Sequence, residues 1–303
     1  MIRTVGTLAA TFLGLAFGSF LNVCLSRWPE GESIVTPRSH CRSCGRALPW
    51  WENLPLASWA ALRGRCRGCD AWIGWRYPLV ELAVGGTWAI TAWQALPALY
   101  LPGWTKVSIF DVMSFAAGKM ILYWLLVGLA ILDAEHLWLP DLLTLGGAAL
   151  GCGFMIMRFA VHSSAALLHW TGGLVAQPQR MYNVIFRWVI GILVAPFLVL
   201  LIRWAYRIIR RREGIGLGDV KLMLLLAVWI GLGHTLLAFV IGVVLGTTVA
   251  LVLLAAPTRR KKAEEWALTK LPMGTFICVG GIVSGLWGDQ MIGTYLRWTG
   301  IHA

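Results

Sequence analysis

The stretch Gly216-Leu217-Gly218-Asp219-Val220-Lys221 decides how this chain is read. It sets a carboxylate at the mouth of an apolar run, Leu222 to Gly233, just after the basic cluster Arg207-Ile-Ile-Arg210-Arg211-Arg212. An ionised acid in or near a bilayer is costly, so it needs a partner or a task. The partner on offer is Asp133, which closes another apolar run in Leu132-Asp133-Ala134-Glu135-His136.

The surrounding composition supports a membrane setting. Of 303 residues, 58% are hydrophobic and 13% charged, with 18 Trp and 34 Gly, the profile of a polytopic membrane protein rather than a soluble one. A net charge of +12 raises the question of nucleic acid, but the basic residues cluster between apolar runs, where retention of cytoplasmic loops accounts for them. No nucleic-acid partner is expected, and lipid is. No tandem repeat or low-complexity tract is visible.

Val5 to Ser26 carries no charge and is long enough to span, since about 20 apolar residues cross the hydrocarbon. A cleaved signal peptide is the alternative. Against it, only Arg3 precedes the run, whereas Arg27, Arg38, Arg42 and Arg46 follow it, which puts the N-terminus outside. Further spans are expected near 79–101, 110–132, 138–160, 185–207, 220–233, 235–256 and 273–290. The expected fold is an all-α polytopic membrane protein of about eight transmembrane helices: a first helix over 1–26, a cytoplasmic zinc-binding domain over 27–78, and a membrane core over 79–303. Alternation leaves the polar segment, Arg207–Arg212 and Arg259-Arg260-Lys261-Lys262 inside, and the lightly charged loops near 102–108 and 161–184 outside. Both termini are then periplasmic. The 161–184 connection is either an interfacial piece or an unstructured loop. Gly147/Gly151, Gly242/Gly246 and Gly281/Gly285 have the spacing that lets helices approach closely in lipid.

The polar segment 27–78 is too small for a generous core, so a metal staple would help it fold. It holds Cys41-Arg-Ser-Cys44 and Cys66-Arg-Gly-Cys69, two short knuckles whose four thiolates suit structural zinc. The other three of the seven cysteines, Cys24, Cys152 and Cys278, stand alone.

In this topology Asp133 ends the third span and Asp219 begins the sixth, on the same cytoplasmic side. Two carboxylates brought together share a proton; one then activates water while the other protonates a leaving group. Gly216 and Gly218 would let the backbone turn freely and leave room for an extended substrate strand. The plainer reading of Asp219 is a helix N-cap. For Asp141, after Pro140, capping is the preferred reading. No His-Glu-x-x-His occurs, so a zinc protease of that type is unsupported.

Taken together the residues resemble the type IV prepilin peptidases, bifunctional leader peptidases and N-methyltransferases. The parts run in order: Gly18-Ser-Phe-Leu-Asn22-Val; two cysteine pairs flanking Pro49-Trp-Trp-Glu52-Asn53-Leu-Pro55; Arg76-Tyr-Pro78-Leu-Val-Glu81; Asp133 with Leu139-Pro140-Asp141; and Gly216-Leu-Gly218-Asp219-Val-Lys221. The resemblance implies catalytic aspartates at Asp133 and Asp219, supported by Gly216, Gly218 and Lys221. It implies metal ligands at Cys41, Cys44, Cys66 and Cys69. It further implies an inner-membrane enzyme that cuts prepilins or type II secretion pseudopilins after a short basic leader and methylates the new N-terminus from S-adenosylmethionine, at a site the sequence does not assign. Two departures stand out. Pro272-Met273-Gly274-Thr275 replaces the family's Pro-Phe-Gly-Pro, and Arg42 stands where many members carry Pro; neither is expected to touch a catalytic or metal position. The rival readings are a transporter using the two acids as an ion or proton relay, and an assembly platform whose zinc ribbon docks a partner.

Overall fold

The structure, a computed structural model, describes residues 2–100, 109–168, 178–211, 216–255 and 271–300. Within them eight α-helices follow in order: α1 Ile2–Arg27, α2 Ala57–Ala61, α3 Arg76–Ala95, α4 Ile109–His136, α5 Asp141–Leu168, α6 Pro178–Arg210, α7 Leu217–Ala255 and α8 Met273–Thr299. By compactness the chain divides into Met1–Gly128 and Leu129–Ala303.

In the first unit, α1 and α3 pack along their lengths. Small residues make the approach possible: a Cβ on Gly18 would stand 2.7 Å from the Glu81 Cα, so nothing larger fits without moving backbone. Between these helices the polar segment carries only short elements, the 3₁₀ turns Trp28–Glu30 and Trp50–Asn53 and helix α2, with isolated bridges His40–Ala47 and Arg65–Trp72. Arg27 is buried and ties the segment down, donating to the carbonyls of Ser33 at 2.7 Å and Pro37 at 2.6 Å.

In the second unit α7 is the central helix, packed on α5, α6 and α8. Its Leu222, Met223, Leu225, Leu226 and Ala227 are fully buried. Indole donors fasten its neighbours: Trp188 of α6 donates to the Val228 carbonyl at 2.9 Å, and Trp229 donates to the Gly147 carbonyl of α5 at 3.0 Å. Gly242 serves as its spacing suggests, since a Cβ there would lie 3.0 Å from the Ile277 Cα.

Six helices among the described residues are long and apolar enough to cross a membrane. The eight expected segments map onto them as follows. The two expected over 220–233 and 235–256 are the two arms of α7, two helices that meet at a kink at Gly231, whose non-helical φ 74° and ψ 173° are open to glycine alone. The segment expected over 79–101 is the helix α3, which is not among the six and buries Glu81. Helices α5 and α6 also overrun expectation, so much of 161–184 is helical rather than a long connection. The loop 102–108, Arg212 and the Arg259–Lys262 cluster lie outside the described residues.

Candidate active site and metal centre

Asp133 lies three residues before the end of α4 and is 6% exposed. Its carbonyl takes the Leu137 amide at 2.9 Å, with Leu137 in the left-handed region at φ 50°, so the helix stops there. Its carboxylate meets the N-terminus of α8, whose first-turn amides have no partner within the helix. The Thr275 amide donates to Oδ2 at 2.6 Å, and the Gly274 amide faces the same carboxylate. A Cβ on Gly274 would stand 2.9 Å from that oxygen, so glycine is what allows the acid to reach the helix end. The Thr275 hydroxyl lies 3.1 Å from Oδ2 and 3.0 Å from the Ala130 carbonyl, and its single proton serves one at a time.

Asp219 is 8% exposed in the first turn of α7. Its Oδ2 accepts the Gly216 amide at 3.3 Å, the back-reaching half of a capping box. Asp219 is thus the third residue of the helix, with Gly216 at the N-cap position expected of the acid, and its carboxylate also lies within electrostatic reach of Asp133. Leu139 joins the two neighbourhoods. It comes within 3.0 Å of where a Cβ would sit on both Gly218 and Gly274. Gly218 thus serves close packing against Leu139 rather than free turning; it has no left-handed φ. Cys278, one turn along α8 from Thr275, is fully buried.

Lys221 places its ammonium 2.5 Å from Asp141 Oδ1, linking the start of α7 to the start of α5. Asp141 is the first residue inside α5, and its carboxylate takes Lys221 rather than the capping role expected of it. The ends of α4 and the beginnings of α5, α7 and α8 meet at one end of this unit, with the two acids among them.

The metal centre belongs to the first unit. The sulfurs of Cys41, Cys44, Cys66 and Cys69 all lie within 4.8 Å of one another, and Cys41 and Cys69 are 3.8 Å apart. A tetrahedral zinc with Zn–S near 2.3 Å has an S–S edge of about 3.8 Å, so the donor set and spacing fit. The two knuckles repeat each other with a shift from 41 to 66. Cys41 N bonds Arg46 O and Cys66 N bonds Ala71 O, while Leu48 N bonds Ser39 O and Ile73 N bonds Gly64 O. The residue after each pair, Gly45 and Asp70, takes positive φ. Here the chain does hold a short internal repeat, carried by backbone bonds as well as by the shared Cys-Arg-x-Cys. The amides of Cys44 and Ser43 push the Cys41 thiol down to about 6. At Cys69 the Ala71 amide favours the thiolate, yet desolvation and the sulfurs of Cys44, Cys66 and Cys41 push the thiol up to about 12. Four thiolates cannot crowd together without a cation between them. Arg42 fastens the first knuckle to the end of α1, pairing with Glu30 at 2.6 Å and reaching the Ser26 carbonyl.

Sequence reasoning missed Thr275. The departure Pro272-Met273-Gly274-Thr275 was expected to leave the acids untouched, and the structure corrects this: Thr275 binds Asp133 directly. The signal was available, since proline at that position has no N–H to give and threonine does.

Comparison with known proteins agrees with this arrangement. The Bacterial Peptidase A24 N-terminal domain matches residues 12–95, and the Type IV leader peptidase family matches residues 120–251. A prepilin leader peptidase/N-methyltransferase of Stutzerimonas stutzeri is 32% identical, over 96% of this chain and 93% of that one. One from Pseudomonas aeruginosa is 30% identical, over 97% and 94%. A type 4 prepilin-like proteins leader peptide-processing enzyme of Escherichia coli is 34% identical, over 73% and 76%. No solved structure matches. With matches that run through the cysteine knuckles and both acids over nearly its whole length, the chain belongs to the type IV leader peptidase family.

Proposed function

We propose that Asp133 and Asp219 are the catalytic pair of a membrane aspartyl peptidase that removes the short basic leader from prepilins or type II secretion pseudopilins. The observation that carries this is their meeting. Two buried carboxylates, from helix ends 86 positions apart (219 minus 133), stand beside Gly218 and Gly274, which pack on the same Leu139 side chain. A shared proton lets one carboxylate activate water while the other protonates the departing amine. The two titrate as a unit, so acid and base roles belong to the pair. Gly216, Gly218 and Lys221 shape the approach to Asp219. A substrate helix in the membrane with a cytosolic basic leader puts its scissile bond at the inner face, where the charge distribution puts this end of the bundle. Membership of a peptidase family speaks against the ion-relay alternative.

In the same reading the enzyme methylates the new N-terminus from S-adenosylmethionine, which supplies an activated methyl group. The protein resides in the inner membrane, with both termini periplasmic and the 27–78 domain cytoplasmic. Cys41, Cys44, Cys66 and Cys69 would hold zinc in a closed shell; with four protein ligands it offers no position for water, so its part is to fold that domain. The peptidase core lies in 79–303. The test is cleavage of a pilin-like peptide by the purified chain in detergent. Asp133→Asn and Asp219→Asn are each expected to abolish cleavage while the protein stays folded; full activity in either variant overturns the pair.

A further inference from the structure

Three polar side chains from the motif stretches of the first unit have no task in the scheme above: Asn22 in α1, Glu52 in the Trp50–Asn53 turn, and Glu81 in α3. All three line one cavity of about 250 Å³, together with residues of both cysteine knuckles. Asn22 is 2% exposed; its Nδ2 donates to the Tyr77 carbonyl at 3.0 Å, while its Oδ1 has no partner in the protein. The Glu52 side chain is 5% exposed; Oε1 accepts from Arg46 at 2.7 Å, and Oε2 has no partner. Glu81 is 7% exposed, with Oε2 accepting the Leu56 amide at 2.8 Å.

A buried acceptor left without a donor costs roughly 1–3 kcal/mol, and here two share one cavity wall. What satisfies them is a ligand rich in donors or positive charge. Four basic side chains also line the cavity: Arg27 and Arg42 are spent on the carbonyls of Ser33 and Pro37 and on Glu30 and the Ser26 carbonyl, the His40 Nδ1 lies 3.1 Å from the Arg38 carbonyl, and Arg67 is exposed. Trp59, Trp72 and Tyr77 add aromatic faces, which attract cations. The volume is below the roughly 300–1,000 Å³ of a pocket for a whole drug-sized ligand, so it suits the reacting end of one.

We propose that this cavity is the onium pocket for methyl transfer, receiving the sulfonium end of the methyl donor or the α-ammonium of the cleaved peptide. The assignment rests on the methyltransferase reading above. In that reaction the amine, its proton released to solvent, forms the C–N bond as the C–S bond breaks. The bonding pair stays on sulfur and the positive charge passes from sulfur to nitrogen. A wall of acceptors serves the charge at both stages.

The test uses the full chain in detergent and the variants Asn22→Leu and Glu52→Gln. Four quantities are measured: bound zinc, cleavage of a pilin-like peptide, methylation of a pre-cleaved peptide with a free N-terminus, and equilibrium binding of S-adenosylmethionine and of that peptide. Each variant is expected to lose methylation by about tenfold or more, the worth of a charged hydrogen bond, with zinc and cleavage unchanged. Weaker donor binding with unchanged peptide binding places the sulfonium in the cavity, and the reverse places the ammonium there. Methylation at the wild-type rate in zinc-replete variants overturns the proposal. Should Asn22→Leu shed zinc, Glu52→Gln decides. It keeps the shape and removes the negative charge, so weaker onium binding is expected, and binding of both ligands at wild-type strength overturns the pocket. A wild-type protein that cleaves but never methylates instead removes the methyltransferase reading, and the pocket with it.

Discussion

Thr275 holds Asp133 across 142 positions of sequence, its amide 2.6 Å and its hydroxyl 3.1 Å from the same carboxylate oxygen. The amide bond uses a free N–H at the start of α8, so the helix end itself orients the acid. The hydroxyl is the part that substitution can remove cleanly. Thr275→Val keeps shape and amide, and should slow cleavage by about ten- to a hundredfold, the worth of one hydrogen bond to a charged group. Thr275→Ser should restore most of the rate. Steady-state cleavage of a pilin-like peptide by the three proteins checks this, and equal rates in Val and wild type would show the hydroxyl to be idle.

The Lys221–Asp141 pair should matter far less. Its partners are 33% and 64% exposed, and exposed pairs contribute about 0–1 kcal/mol. Asp141→Asn and Lys221→Met are therefore expected to lower cleavage by no more than about fivefold. Asp133→Asn and Asp219→Asn, in contrast, should leave none. Measured side by side at one substrate concentration, a total loss in Asp141→Asn would promote that acid from the periphery to the reacting centre.

How much of this was legible beforehand follows from the chemistry of particular residues. Asp133, Asp219 and the four knuckle cysteines stood out because charge and clustered thiols are rare in an apolar chain and each needs a reason. The helix ends that bring the acids together followed from run lengths and loop charges. Thr275 stood out only as a departure from the family's Pro-Phe-Gly-Pro; its bond to Asp133 was not read from it, because the two are remote in sequence. The bend in α7 was expected as a break near His234. It falls three residues earlier, at Gly231, where a glycine in a non-helical conformation ends one helical arm and starts the next with no loop between them. Helices α5 and α6 outran their apolar runs because helical backbone bonding continues past the last apolar residue when nothing stops it. The pairing of the two knuckles was legible in their shared Cys-Arg-x-Cys, whereas the matching backbone bonds around them were not.

Gly231 supplies the third prediction. No atom lies within 4 Å of the position a Cβ would take, so Gly231→Ala meets no clash and tests the backbone alone. Holding alanine at φ 74° and ψ 173° should cost about 1–3 kcal/mol. The expected result is a lower thermal midpoint in detergent, with zinc content unchanged, because the knuckles belong to the other unit. An unchanged midpoint would mean that α7 straightens at no cost.

The last prediction separates the metal from proteolysis. The four sulfurs form a closed shell in Met1–Gly128, while Asp133 and Asp219 belong to Leu129–Ala303. Binding zinc requires thiolates and releases protons, so metal is held at neutral pH and lost as the solution is acidified. Cys66 is the buried ligand at 5% exposure, so Cys66→Ser should shed zinc and loosen the 27–78 segment most. Methylation should then fall severely, because the onium cavity is walled by the same knuckles. Cleavage should fall less, and only as far as the segment positions the leader. Bound zinc, cleavage and methylation are to be measured on one preparation with one substrate, and again after chelation of the wild type. Recovery of cleavage at high substrate concentration in the zinc-free protein is the expected outcome, since a positioning defect weakens binding while leaving the acid pair intact. If cleavage instead vanishes with the metal and no substrate concentration restores it, the knuckles are part of the protease and the two chemistries share one structural foundation.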